Sequence, residues 1–294
     1  VKPAPFAYAR PTDLAAAVEA LAGSTNAKVL AGGQSLVPLL SMRLAAPALL
    51  VDINRLPGLD HVTSDASGVR VGALARHAAV LADEEAHRVQ PLLAMALANV
   101  AHATIRNRGT TVGSLVHADA AAEMPVVLAL LGGSVDVVGP GGRRTVAGDA
   151  LFLGPLESSL AHDEIAVEAF FPALAEGSGV AFREVARRHG DYALCGVAVL
   201  VRLEDRRIVE ARAGYLSVSD LPTVVDLAPA LAGGGPEVPS DRALEAAGEL
   251  ALAALDPQGD IHATAAYRAQ LVRVLTGRTL RAAYDDARRR TEQP

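Results

Sequence analysis

Two hydrophobic patterns take turns along the first half of the chain: apolar residues at helical spacing, and short continuous apolar runs bounded by glycine, proline and polar residues. Leu14, Val18 and Leu21 share one helix face, behind Thr12 as the capping hydroxyl and ahead of Gly23 as the stop. Lys28-Val29-Leu30 reads as a short buried strand that runs straight into Gly32-Gly33. Residues 50–53 predict a second strand, and Val69-Arg70-Val71 opens a third. Residues 91–100, started by Pro91, and about 120–131 predict Ala- and Leu-rich helices. Between them, 102–119 is polar and glycine-punctuated and reads as a long functional connection. Residues 134–138 and 143–146 flank a Gly139-Pro140-Gly141-Gly142 turn and predict a hairpin, followed by a strand over 164–171 ended by Pro172.

After Glu176-Gly177-Ser178-Gly179, which reads as a domain boundary, the pattern changes. Three strand-like runs follow, 180–185, 193–203 and 208–218, the last two joined by the charged turn Glu204-Asp205-Arg206-Arg207. Connections this short predict an antiparallel meander. Residues 222–239 are rich in glycine and proline and read as loop. Helices are expected near 243–254 and 263–284, and the charged last ten residues are expected to fray.

Composition narrows the picture. A chain of 294 residues is long enough for two domains. Hydrophobic residues make up 51% but aromatics only 3%, with no Trp, so Ala, Leu and Val must build the core. Val1-Lys2-Pro3 opens without an apolar signal region, and every apolar stretch is too short or too interrupted by charge to span a bilayer. No membrane insertion and a cytoplasmic location are therefore expected. The net charge of −6 argues against nucleic-acid binding, although Arg187-Arg188-His189 could meet one anionic group. The single cysteine, Cys195, cannot form an internal disulfide, which fits a reducing compartment. Nor can it hold an iron–sulfur cluster, which normally needs about four thiolates. Any cluster chemistry would sit in a partner.

Two glycine-containing loops are the leading candidates for chemistry. Ala31-Gly32-Gly33-Gln34-Ser35-Leu36 follows a strand. Adjacent glycines let the backbone turn sharply and approach a ligand, and successive N–H groups then suit a pyrophosphate; a plain β-turn is the alternative. The second stretch, from Ile105 through Arg106-Asn107-Arg108-Gly109 to Thr110-Thr111-Val112-Gly113-Ser114, combines arginines and hydroxyls that match phosphate oxygens. It reads equally as a solvated loop with a helix cap. His117-Ala118-Asp119 is a poor metal site, because no further ligand cluster has the spacing. Asp119 fits better as a cap for the following helix or as an acceptor for a ribose, and His102 as a buried structural histidine. Cys195 reads as an inert core residue. Neither a nucleophile motif nor a protein catalytic residue is evident. In the turn Arg187-Arg188-His189-Gly190-Asp191-Tyr192, either a surface hairpin or a ligand contact is at stake, with Tyr192 packing on a planar ligand that Asp191 helps orient.

Taken in order, these residues resemble one family. Phe6 to Pro11, the Gly32-Gly33 loop, Asp52-Ile53-Asn54, Gly72-Ala73-Leu74, Arg76-His77, the 105–119 stretch, Phe152-Leu153-Gly154-Pro155, 184–192, Tyr267-Arg268 and Leu275-Thr276 resemble the FAD-binding medium subunit of molybdenum hydroxylases, the carbon monoxide dehydrogenase and xanthine dehydrogenase group. The resemblance implies an α+β fold: a two-lobed α/β FAD-binding domain of the PCMH type over 1–176, with lobes about 1–57 and 58–176, then a C-terminal domain over 177–294 with a three-stranded antiparallel sheet and helices. It implies FAD held by Ala31, Gly32, Gly33, Gln34, Ser35, Leu36, Thr110, Thr111, Gly113 and Ser114 around the pyrophosphate, Asp119 near its sugar or phosphate end, and Asp191 and Tyr192 near the ring. It further implies an oxidoreductase complex with a small 2Fe–2S subunit and a large molybdopterin subunit, as a dimer of heterotrimers. Electrons would pass from the clusters through FAD to an external acceptor. The cofactor carries the redox chemistry, so the protein need supply no acid or base.

Two positions depart from the family. Val112 stands where the second loop usually carries glycine, which predicts a different backbone or a weaker FAD contact, since a β-branched residue suits positive φ poorly. Leu216-Ser217-Val218-Ser219-Asp220 stands in place of a small-residue turn. These departures keep open a stand-alone FAD-dependent oxidase or tailoring enzyme, and a scaffold subunit that no longer binds flavin.

Overall fold

A computed structural model describes residues 2–231 and 238–292. The first lobe holds β1 (Ala7–Ala9), α1 (Leu14–Ala22), β2 (Ala27–Leu30), α2 (Leu36–Met42) and β3 (Leu49–Asp52). Its three strands form a parallel sheet in the order β1-β3-β2. Asp13 rather than Thr12 caps α1: its carboxylate accepts from the Ala16 N–H at 2.9 Å, one residue nearer the helix. Gly23 does end the helix, donating its N–H back to Glu19.

The second lobe begins with β4 (Val62–Asp65) and β5 (Gly68–Gly72) and continues through α3 (His77–Ala82), α4 (Glu84–Val89), α5 (Pro91–Leu97), α6 (Ala103–Arg106), α7 (Thr111–His117) and α8 (Glu123–Leu131). It closes with β6 (Ser134–Gly139), β7 (Gly142–Ala147), the small hairpin β8 (Phe152–Gly154) and β9 (Glu157–Ser158), and β10 (Ile165–Pro172). The main sheet runs β4-β5-β10-β6-β7, antiparallel throughout. The polar 102–119 stretch is not one long loop, because it contains α6 and α7. Hydroxyls and glycines masked the second helix, yet Thr110 caps it by accepting from the Gly113 N–H at 3.1 Å, and Val112 and Leu115 bury its inner face.

The remaining elements are β11 (Ser178–Ala186), β12 (Ala193–Glu204), β13 (Arg207–Leu216), β14 (Thr223–Asp226), α9 (Ala228–Leu231), α10 (Asp241–Ala253) and α11 (Ala265–Glu292). The strands form an antiparallel sheet in chain order, with β14 as a fourth member. β14 lies in the 222–239 stretch read as loop; its one deeply buried apolar residue, Val225, left too short a pattern, and the part of that stretch at 232–237 lies outside the described residues. The β12–β13 turn uses Asp205 and Arg206 with φ of 48° and 65°, the primed geometry that matches strand twist. α11 does not stop at Tyr284 but runs to Glu292. Asp286 pairs with Arg289 and Arg290 and accepts from the Val180 N–H at 3.1 Å, which anchors the last turns; the final two residues lie outside the described ones.

Strand alternation makes the β11–β14 sheet serve two cores. Ala198 and Leu200 point into the apolar core of the second lobe, while Val197, Val199 and Val201 point towards α10 and α11. Gly179 permits this packing: a Cβ there would meet the Ala287 nitrogen at 2.1 Å. The α/β body and the sheet domain are thus pressed together. No helix among the described residues is long and apolar enough to cross a membrane.

Candidate functional site

The two glycine-containing loops touch. Gly32 is buried against the second loop so closely that a Cβ would lie 2.4 Å from the Arg108 carbonyl oxygen and 2.8 Å from Gly109 Cα. Gly33 has φ of 72°, in the left-handed region that glycine alone enters at little cost. Among the described residues, the N–H groups of Gly32, Gly33, Gln34 and Ser35 donate to no protein acceptor. Gln34 folds back instead, donating from Nε2 to the Gly32 carbonyl at 3.1 Å. Ser35 starts α2 without a side-chain capping bond. A backbone cradle of unspent donors with no side chain in the way fits the pyrophosphate of a dinucleotide.

Beneath the contact lies a polar clip that the sequence did not single out as part of the site. Arg76 donates to the Arg108 carbonyl at 2.6 Å and to Asn54 Oδ1 at 2.7 Å. Asn54 Nδ2 donates to the Ala31 carbonyl at 2.9 Å and to Asp52 Oδ1 at 2.7 Å, and the Tyr8 hydroxyl donates to Asp52. Burial pushes the Asp52 carboxyl up, but the bonds from Tyr8 and Asn54 outweigh it and hold the group below its ordinary range. One guanidinium therefore fixes both loops. Asp52-Ile53-Asn54 and Arg76-His77 carried the family resemblance, and polar residues ending a buried strand were the only other signal.

The second loop spends most of its polarity internally. Thr110 and Thr111 are buried; the Thr110 hydroxyl caps α7 and Thr111 Oγ1 meets His77 Nδ1 at 3.2 Å. Burial, then the charge of Arg106, pushes His77 down to about 4, so its imidazole is neutral. Gly113 makes room for the cap, since a Cβ would lie 2.5 Å from Thr110 Oγ1. Val112 is helical and buried, and it does not take up positive φ. Its β-branched side chain therefore causes no positive-φ strain there.

Asp119 does not cap α8, whose cap position is Ala122; its Oδ1 accepts from the Ala121 N–H at 2.9 Å and closes the turn before the helix. With Ala120 and Ala121 it forms one wall of a cleft of about 420 Å³. Tyr192, Ala193 and Leu194 form a second wall, Ser217 to Asp220 a third, and the loop 256–262 a fourth. Tyr192 is 70% exposed. Desolvation, then the charges of Asp119 and Glu123, holds its phenol above the ordinary value. Asp191 is turned away into ion pairs with Arg188 at 3.1 Å and Arg187 at 3.4 Å, so its present role is to shape the turn that presents Tyr192. Gly190, with φ of 82°, packs that turn onto His102: a Cβ would meet the imidazole at 2.4 Å. His102 is exposed, not buried, and it works as the surface on which the turn rests. Gly32 thus meets the second stretch at Arg108-Gly109, while Asp119 and Tyr192 stand on separate walls of the cleft.

Ser217 occupies the place of the missing small-residue turn, and the turn is there. Its φ is 64°, its N–H donates to the Ala120 carbonyl at 2.9 Å, and its carbonyl accepts from Arg268 at 2.7 Å. Ser217→Gly should therefore raise stability by about 0.5–1 kcal/mol by relieving the left-handed strain. Chemical denaturation reads this directly, and a midpoint below that of the parent would show the strain argument to be wrong.

Burial pushes Glu123 up to about 8, with the neighbouring Glu184 adding to it, and Glu184 up to about 7. The Cys195 thiol, fully buried on β12, is pushed up to about 12 by burial and is chemically silent. Among the described residues no three His, Cys, Asp or Glu side chains converge as metal ligands would.

Residues 4–174 match the FAD binding domain in molybdopterin dehydrogenase, and residues 180–283 match the CO dehydrogenase flavoprotein C-terminal domain. The chain belongs to the FAD-binding medium-subunit family of molybdenum hydroxylases. It is 41% identical to the 6-hydroxypseudooxynicotine dehydrogenase complex subunit alpha of Paenarthrobacter nicotinovorans, over 98% of this chain and 97% of that one. Among solved structures, quinoline 2-oxidoreductase from Pseudomonas putida 86 superimposes with a TM-score of 0.90 at 34% identity, covering 98% of this chain and 99% of that one. Carbon monoxide dehydrogenase from Hydrogenophaga pseudoflava superimposes equally well, at 0.90 and 32% identity, over 97% and 99%. The cofactor of this oxidoreductase-family flavoprotein is FAD.

Proposed function

We propose that the chain is the electron-transfer subunit of a multi-subunit molybdenum hydroxylase, taking electrons from 2Fe–2S clusters of a small partner subunit and passing them through FAD to an external acceptor. A large molybdopterin subunit completes the assembly, as a dimer of heterotrimers. The observation that carries this reading is the pairing of a cofactor cradle with a chain whose single cysteine is buried and inert. Such a chain can hold a flavin but no cluster, so in this reading the clusters that feed the flavin sit in another subunit. A single thiol also supports a reducing compartment, the cytoplasm.

Bound FAD supplies the redox chemistry, accepting electrons singly and giving them up singly or in pairs. The protein's part is to hold and screen it. In this reading the N–H groups of Gly32, Gly33, Gln34 and Ser35, next to Ala31 and Leu36, bind the pyrophosphate, and Ser114 adds a hydroxyl. Thr110, Thr111 and Gly113 build the second loop rather than spend their side chains on the ligand. Asp119 accepts from the sugar end, Tyr192 covers the ring, and Asp191 holds Tyr192 in place. The boundary between the FAD domain, in its two lobes, and the C-terminal domain falls at 176/177. Val112, helical and buried, no longer gives a stand-alone flavoenzyme a distinct motive.

Purification from the native host tests the proposal. The expected result is a yellow complex in which this chain travels with two others and with iron and molybdenum. A folded chain that runs free, without flavin or either metal, would overturn it.

A further inference from the structure

Arg268, on α11, is buried to 6% exposure, an expensive place for a cation unless its partners need it there. Its guanidinium joins three walls of the cleft. It donates to the Leu194 carbonyl on β12, to the Ser217 carbonyl beyond β13 at 2.7 Å, and to Asp260 Oδ2 in the 256–262 loop at 2.6 Å. Asp260 is tied in turn: its other oxygen accepts from the His262 and Ala263 N–H groups, at 2.7 and 2.9 Å. Those two bonds, with Arg268 adding to them, hold its carboxyl below the ordinary range. Arg268 Nε lies buried and donates to no protein acceptor among the described residues. The rest of the cleft is acidic, with Asp119, Asp220 and Asp256 on its walls; the other nitrogen base is His262.

We infer that Arg268 positions the cleft walls and, as a buried positive charge behind them, sets the reduction potential of the flavin ring, with Asp260 as the counter-charge that limits its effect. The inference rests on the reading above that the ring lies beside Tyr192. Reduction adds electrons to the ring. A fixed cation behind it favours the reduced form and a fixed anion disfavours it; the buried Arg268 is weakly screened, while the Asp260 carboxylate, partly open to solvent, is screened more and acts less strongly. The acidic cleft by itself would drive the potential down and hinder electron entry from the clusters. Arg268 offsets that field from the buried side, where it cannot be displaced by solvent.

The two partners of one ion pair should therefore act in opposite directions, which a purely structural role would not produce. In the flavin-loaded complex, Arg268→Met is expected to lower the FAD midpoint potential and Asp260→Asn to raise it, measured by spectroelectrochemical titration. Arg268→Lys keeps the charge and is expected to lie near the parent. Equal-sign shifts in the two variants, or no shift with flavin content at the parent level, overturn the inference while leaving the subunit's assignment intact. Should Arg268→Met not fold, Asp260→Asn decides alone, and a potential that fails to rise sinks the idea. A parent complex that holds no flavin removes both the inference and the reading beneath it.

Discussion

Gly32→Val should strip the chain of FAD and cost about 2–3 kcal/mol of stability. The valine Cβ has nowhere to go: it would lie 2.4 Å from a backbone oxygen and 2.8 Å from a backbone carbon of the facing loop. Flexible side chains can yield a few tenths of an ångström, but two backbones clipped together by Arg76 through Asn54 and Arg108 cannot. The loops must part, and the row of free N–H groups at Gly32 to Ser35 loses its shape. Gly33→Ala is the informative contrast. There the crowding atoms are the side chains of Leu30 and Val37, at 3.1 and 3.2 Å, and the main cost is a φ of 72°, about 1 kcal/mol. Flavin absorbance per mole of folded protein, with urea midpoints, separates the two. Full flavin content in a folded Gly32→Val variant would disprove the role assigned to the contact.

Glu123→Gln should make the protein more stable, and only at neutral to alkaline pH. The folded-state value of Glu123 is raised from 4.5 to about 8 by burial and by Glu184. Between those limits the folded state binds more protons than the unfolded one. Stability is therefore fully present below the unfolded value and declines as pH rises through the folded one. Glutamine carries no charge to bury, so the variant should gain on the order of 2 kcal/mol over the parent above about pH 8, and nothing near about pH 4. Glu184→Gln should show the same sign, its own value being raised to about 7. Urea midpoints across the range test this, and parallel pH curves for variant and parent would refute it. The functional link is short: Glu123 adds to the negative charge felt by Tyr192, so its protonation lightens the field on that side of the cleft.

Local pattern was enough for most elements, because a buried face imposes its period on the sequence wherever the element is long enough. The helix around Leu14 to Leu21, the Gly139–Gly142 hairpin and the meander over β11 to β13 were all legible for that reason. Where the apolar signal is short, or spread among hydroxyls and glycines, it fails. β14 shows only Val225 to its neighbours, and α7 hides Val112 and Leu115 among Thr, Gly and Ser. The family, the FAD cofactor and the two loops could be taken from the order of motifs alone.

What the residues do at those loops could not. Whether Gly32 faces a ligand or a neighbouring backbone depends on a contact with Arg108, 76 residues further on in the chain numbering. Thr110 and Thr111 read as cofactor ligands, and folding also gives them protein partners, a helix cap and a buried histidine, that the sequence did not reveal. Asp191 looked like a ligand contact and is held by two arginines. Arg76 and Arg268 stood in the sequence only as members of the family's motifs, with no role assigned, yet each gathers oxygens from separate segments. A polar side chain reports its type in the sequence but not its partner, and partners here come from segments brought together only on folding. By itself the sequence determined the chain's family and its cofactor. Tertiary structure alone decided which polar groups remain free for the cofactor, because hydrogen bonds are counted in space, not along the chain.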